Sequence, residues 1–181
     1  MFCVILDTTH LESIIAHTSM IKKQQNYAFI DGTNLHLSAK YLGWEINWAT
    51  FREYLQKRHN VSHAYYFIGY LKEYQHLYDD LIDYGYTLIH KPVLKLPDGN
   101  IKGNCDAEIV LHTMVEIDNY NKAVIVTGDG DISCLIEHLR NVDKFKLVIA
   151  CRQDSCSHLL RKAAGGNIMF LDYLRYKFEK K

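Results

Sequence analysis

YAFIDGTN, residues 27–34, decides the fold. Four mostly aromatic or aliphatic residues run into Asp31-Gly32, the composition of a short buried strand that ends in a turn and delivers Asp31 to its carboxyl end. The same pattern returns downstream. KAVIVTGDGD (122–131) is an apolar run that ends in two aspartates spaced by glycine. HAYYFIGY (63–70), YTLIHKPV (86–93), KLVIAC (146–151) and NIMFL (167–171) have strand composition as well.

Helical patterns lie between these runs. In LKEYQHLYDDLIDYG (71–85), Leu71, Tyr74, Leu77, Tyr78, Leu81 and Ile82 keep the three-and-four spacing of one helix face, and Gly85 supplies a stop. From 105 to 117, Ala107, Val110, Leu111, Met114 and Val115 form a second stripe, with Asp106 in the first turn. Residues 132–139 and 155–163 read as helices, and Trp44 and Trp48 staple the start of another over 49–58 to the body. Strands alternating with helices predict an α/β class protein, a three-layer α/β/α sandwich around a mainly parallel sheet, because parallel strands need crossover helices on both faces.

At 181 residues the chain is one domain's length. We place the domain at 26–181. Residues 1–25 are an extension that admits three readings: an added strand and helix, a mobile arm, or sequence upstream of a start at Met20. Prolines are confined to Pro92 and Pro97, so residues 92–104 are the expected long irregular connection and a candidate site rim.

Lys plus Arg and Asp plus Glu number 21 each, so any nucleic-acid binding rests on local patches and not on net charge. No apolar run approaches the roughly 20 residues that span a bilayer, which argues against a membrane partner. The first residues lack the basic segment of a signal peptide, and five cysteines without a CxxC pair suit reduced thiols and a cytoplasmic location. Cys151, Cys156 and His158 read as buried cysteines beside an ordinary histidine in preference to zinc ligands. The sequence is compatible with a homodimer.

Ligands of open α/β sheets bind at the carboxyl ends of the strands, so acids there carry the functional weight. Asp31 ends one strand, Asp129 and Asp131 follow another, and Asp106 opens the helix after IKGN. Convergent carboxylates suit a hard cation, Mg²⁺ or Mn²⁺, with positions left for water and phosphate. Each acid has a plainer reading: Asp31 as an Asp-Gly turn residue, Asp106 and Asp131 as N-caps. Together they favour a metal site.

FIDGTN (29–34), KGNCD (102–106) and TGDGDI (127–132), in this order, resemble the NYN domains of the PIN-like nuclease superfamily, in particular the LabA-like branch, over residues 26–172. The resemblance implies a PIN-like three-layer fold and metal-dependent endoribonuclease activity. It also implies Asp31, Asp106, Asp129 and Asp131 as catalytic, metal-holding acids and Asn34 as the residue that positions water or substrate. One departure stands out: His112 occupies a helix position where many LabA-like members carry another aspartate.

Lys91, Lys95 and Lys102 surround the 92–104 connection, and Lys95, Lys102 and Thr33 are the substrate-contact candidates, with Arg152 a weaker one. Tyr65, Tyr66 and Tyr70 read as packing residues before base-stacking ones. FIDGTN and GDGD also resemble haloacid-dehalogenase-type phosphatases, but the position of that family's aspartate nucleophile is Phe29, so no aspartyl-phosphate can form there. The remaining rival to an RNA-cleaving enzyme is a non-catalytic RNA-binding or protein-interaction module on the same fold.

Overall fold

The computed structural model describes residues 25–95 and 101–181, with side chains omitted at 94, 95, 101 and 102. The readings made for residues 1–24 lie outside the described residues. β1 (Asn26–Asp31) is buried along its whole length, as the apolar run predicts for a strand covered on both faces. It pairs in parallel with β2 (Val61–Gly69) on one side and β6 (Ala123–Val126) on the other. β3 (Thr87–Lys91) extends the sheet beyond β2, and β7 (Phe145–Ala150) and β8 (Ile168–Phe170) extend it beyond β6. The six-stranded order is β3-β2-β1-β6-β7-β8, parallel throughout.

The period-2 alternation of β1 divides the core. Ala28 and Ile30 join a cluster with Leu35 and Ala39 of α1 (Gly32–Tyr41), Phe51 and Leu55 of α2 (Trp48–His59), and Tyr78 and Leu81 of α3 (Gln75–Asp83). Tyr27 and Phe29 face the other way, toward Ile109 of α4 (Asp106–Val115), Leu135, Ile136 and Leu139 of α5 (Ser133–Asn141), and Leu160 of α6 (His158–Ala164). The short α7 (Arg175–Phe178) returns Phe178 to the first cluster, against Phe51 and Tyr54. Helices that precede β6 as crossovers between β1, β2 and β3 thus cover one face, and α4 to α6 cover the other. The winding direction reverses between β1 and β6.

Three sequence expectations change. The connection at 92–104 carries a small antiparallel ladder, β4 (Leu94–Lys95) with β5 (Ile101–Lys102), where an irregular stretch was expected. α3 starts only at Gln75, after a 3₁₀ turn over Lys72–Tyr74, and Ile82 and Tyr74 are exposed, because the chain leaving β2 turns before the helical face meets the sheet. On α4 the buried face runs through Ile109 and Thr113, while Leu111 and Val115 face solvent. Thr113 tolerates burial because its hydroxyl donates to the Ile109 carbonyl at 2.7 Å. Trp44 is buried, and Trp48, the first residue of α2, packs edge-on against Tyr66 and Tyr86.

Gly32 is where α1 touches the sheet. A Cβ there would enter the Tyr66 ring and approach the Phe67 carbonyl, and both residues of β2 are fully buried. Gly32→Ala is therefore expected to destabilise the protein by about 1–3 kcal/mol, the usual cost of overpacking a filled site. Equilibrium urea unfolding would measure it, and a variant as stable as the parent would contradict this packing.

Candidate active site at the switch between β1 and β6

A doubly wound sheet opens a crevice at its carboxyl edge where the strand order reverses. Here that point lies between the ends of β1 and β6, so Asp31 and the loop Thr127 to Ile132 meet across it. Asp31 is the N-cap of α1: one carboxylate oxygen accepts the Asn34 N–H at 2.9 Å, and the other accepts the Thr127 hydroxyl at 3.1 Å. The Thr127 hydroxyl oxygen also accepts the Asp129 N–H at 3.1 Å. Asn34 returns across the seam, its side-chain oxygen accepting the Gly128 N–H at 3.0 Å. These four bonds lock the first turn of α1 to the loop after β6.

The loop is shaped by its own side chains. Asp129 Oδ1 accepts the Asp131 N–H at 3.0 Å, and the Gly128 carbonyl accepts the Ser157 N–H at 3.0 Å. Gly130 lies so close to Ser157 that a Cβ would collide with its hydroxyl. From the opposite side α4 presents Asp106 at its first position. Asn104 accepts the Asp106 N–H at 2.7 Å and donates its amide to the Asp106 carboxylate at 2.6 Å. The Asn104 carbonyl in turn accepts Lys91, whose ammonium pairs with Glu108 at 2.9 Å.

Oxygens of Asp106, Asp129 and Asp131 all lie within 4.8 Å of one another, the sole such group of potential metal ligands among the described residues. This donor set fits a hard divalent cation: three carboxylates with few cationic neighbours and an open side toward solvent. Asp31, which the sequence offered as a fourth metal-holding acid, is not part of this group; it is 6% exposed with both oxygens engaged. Neither Asp106 nor Asp131 caps a helix, which removes the capping alternative: the cap positions are Cys105 and Ile132, and no side-chain cap bond forms at either. The cap in this site is Asp31, in place of the plain turn residue.

Other candidates fall outside this cluster. Thr33 lies one residue beyond Gly32, on a neighbouring groove. In the β4–β5 ladder the backbone of Lys95 pairs with Ile101 and that of Lys102 with Leu94, and the side chains of both lysines lie outside the described residues. Lys91 is committed to Glu108 and the Asn104 carbonyl, and Arg152 to Asp154 and the face of Tyr41. His112 packs against Phe67 and Tyr65 on the α4–β2 seam. Tyr66 is fully buried, Tyr65 stacks on Phe29, and Tyr70 stacks on Tyr78. Cys151 and Cys156 are buried free thiols. Sequence reasoning passed over Thr127 and the grip of Asn104 on Asp106; their only signal was adjacency to the acids in VTGDGD and KGNCD.

Electrostatics follows the packing. Burial pushes the Asp31 carboxyl up to about 6, opposed by its bonds from Asn34 and Thr127 and reinforced by the charges of Asp106 and Asp129. Burial also raises Asp106, with Asn104 opposing and Asp129 and Asp131 adding to the rise. A carboxyl whose native pKa exceeds its unfolded value holds a proton in the fold that the unfolded chain releases, so its contribution to stability falls as pH rises from about 4 through about 6. Metal-free Asp31→Asn protein should accordingly exceed the parent in stability at pH 7 by about 1–3 kcal/mol, with the gap closing toward pH 4. Chemical denaturation across that range is the measurement, and a pH-independent gap would refute the assignment.

The NYN domain model matches residues 27–172. The low amplitude and bright protein LabA of Synechococcus elongatus is 32% identical over 123 residues, covering 62% of this chain. The aligned region spans 66% of that relative's length, just under two thirds. The crystal structure of a protein of unknown function from Vibrio parahaemolyticus superimposes with a TM-score of 0.72, at 21% identity, over 88% of this chain and 98% of the other; at that identity it speaks for the fold. The family match covers most of the chain, including the β1 end, the KGNCD turn and the loop after β6, and the chain belongs to the NYN domain family.

Proposed function

We propose that the protein is a metal-dependent endoribonuclease that hydrolyses RNA phosphodiester bonds at the crevice between β1 and β6. The observation that carries this reading is the convergence of Asp106, Asp129 and Asp131 within 4.8 Å at the sheet's switch point. NYN membership within a nuclease superfamily supports it. Asp106, Asp129 and Asp131 would hold Mg²⁺ or Mn²⁺. Bound there, the cation supplies positive charge against the scissile phosphate and acidifies water.

The chain's own groups do the positioning. Thr127 orients Asp31 and the Asp129 backbone together, and Asn34 fixes the loop through Gly128. Asn104 holds the Asp106 carboxylate facing the other two acids. Asp31 adds a buried negative charge behind the trio, which strengthens the pull on a cation and keeps the site in need of one. No carboxylate acts as a covalent nucleophile in this reading; water is the attacking group. Choice of RNA over DNA follows the family resemblance, with Thr33, Lys95 and Lys102 as proposed substrate contacts. Among the described residues no helix is long and apolar enough to cross a membrane. A cytoplasmic setting and a domain starting near residue 26 belong to the same proposal, the former supported by the free thiols of Cys105, Cys134, Cys151 and Cys156.

A second reading, an RNA-binding or protein-interaction module without catalysis, is favoured by one observation: His112, at the family's aspartate position, is occupied with Phe67 and Tyr65 and adds no carboxylate to the trio. Labelled single-stranded and structured RNAs incubated with purified protein separate the two. Cleavage should appear with Mg²⁺ or Mn²⁺, vanish with chelator, and drop about 100-fold or more in Asp129→Asn. RNA that binds but stays intact under every metal condition would establish the second reading, and equal cleavage by the variant would defeat the assignment of cleavage to these acids.

A further inference from the structure

Next to the acids, on the α1 side, lies a groove of about 450 Å³, within the range of roughly 300–1,000 Å³ typical of small-molecule sites. Its floor is apolar, made by Ile68 and Leu77 with Val93 closing one end against Gly69 and Gly103. Its rim carries exposed apolar and aromatic groups: Leu37 at 59% exposure, Tyr74 at 42%, and the His36 ring with its centroid 6.2 Å from that of Tyr74. Among the described residues the lining contains no carboxylate, ammonium or guanidinium. A charged phosphate or sugar backbone has no counterpart there, whereas a neutral flat ring does.

The groove is joined to the acidic site by shared residues. Asn104 lines the groove while its amide donates to Asp106, and Thr33 lines it two residues after Asp31. A chain whose phosphate lies at Asp106 therefore passes Asn104 and Thr33 with its next base over the groove. Resting on the proposed nuclease reading, we infer that the groove is a base-binding subsite, which takes one unpaired base of a single-stranded nucleic acid adjacent to the cleaved phosphodiester. Apolar side chains and rings at Leu37, His36 and Tyr74 receive the base by stacking and exclusion of water, a mode that every base can use. Thr33 and Asn104 supply the hydrogen-bonding groups at the phosphate end. A base held in a duplex stack cannot enter, so the subsite selects for single strands or flipped-out nucleotides.

The test uses the full-length protein in Mg²⁺ with a short single-stranded oligoribonucleotide that carries 2-aminopurine and cleavage-resistant phosphorothioate linkages. Binding should change the 2-aminopurine fluorescence. Tyr74→Ala and Leu37→Glu, both at exposed positions, should each weaken it roughly 5- to 100-fold, the range that loss of one stacked base commands, and should raise KM for RNA more than they lower kcat. The same strand in a blunt duplex should bind at least about tenfold more weakly than when free. Parent-like affinity in both variants, while Asp129→Asn still abolishes cleavage, would overturn the subsite and leave the nuclease reading standing. Variants that change the sedimentation mass and not the oligonucleotide affinity would assign the groove to protein contact, also against the proposal. A parent protein that cleaves no RNA under any metal condition would instead remove the nuclease reading on which the subsite depends.

Discussion

The hydrogen bond from the Thr127 hydroxyl to Asp31 ties together the two halves of the molecule. It spans the seam where the winding of the sheet reverses, between the parallel partners β1 and β6. A buried carboxylate would otherwise be costly at this depth; two donated hydrogen bonds, one from the helix it caps and one from the neighbouring strand's end, make it tolerable. The same Thr127 oxygen receives the Asp129 N–H, so the orientation of the acidic loop is set by the group that satisfies Asp31.

Around that bond the protein holds like charges close. Asp106 is brought from a helix across the crevice and gripped by Asn104, which is itself braced by Lys91. Backbone N–H groups and amide side chains do most of this work, and among the described residues no ammonium or guanidinium forms an ion pair with the three facing carboxylates. Burial first, and the like charges beside them second, raise the Asp31 and Asp106 carboxyl pKa values. Three carboxylates that face one another offer hard oxygen donors of the kind a divalent ion takes.

Much of the fold was legible because its central strands are short apolar runs punctuated by acidic, glycine-rich turns. YAFID and AVIV are buried throughout and lie side by side, as two strands of a covered parallel sheet must. The helical stripes were read less well. On α4, apolar spacing placed Leu111 and Val115 inward, but the helix packs through Ile109 and Thr113, a polar residue that hides its hydroxyl on its own backbone. Composition does not carry that information, because an internally satisfied threonine looks polar in sequence and apolar in the core.

The acids themselves and the placement of Asp31 and Asp129 at strand ends were visible in FIDGTN, KGNCD and TGDGDI, because an apolar run that stops at an aspartate beside glycine marks where a buried strand gives way to a turn. Their division of labour was not. Four equivalent aspartates in the sequence become a facing trio and a buried cap only after β1 and β6 are paired and α4 is packed across them, because distance between carboxylates separated by nearly a hundred residues is a property of the pairing register and the helix rotation. Local sequence chose the residue types; the reversal of the sheet between β1 and β6, which opens a crevice at one edge, chose which of them meet.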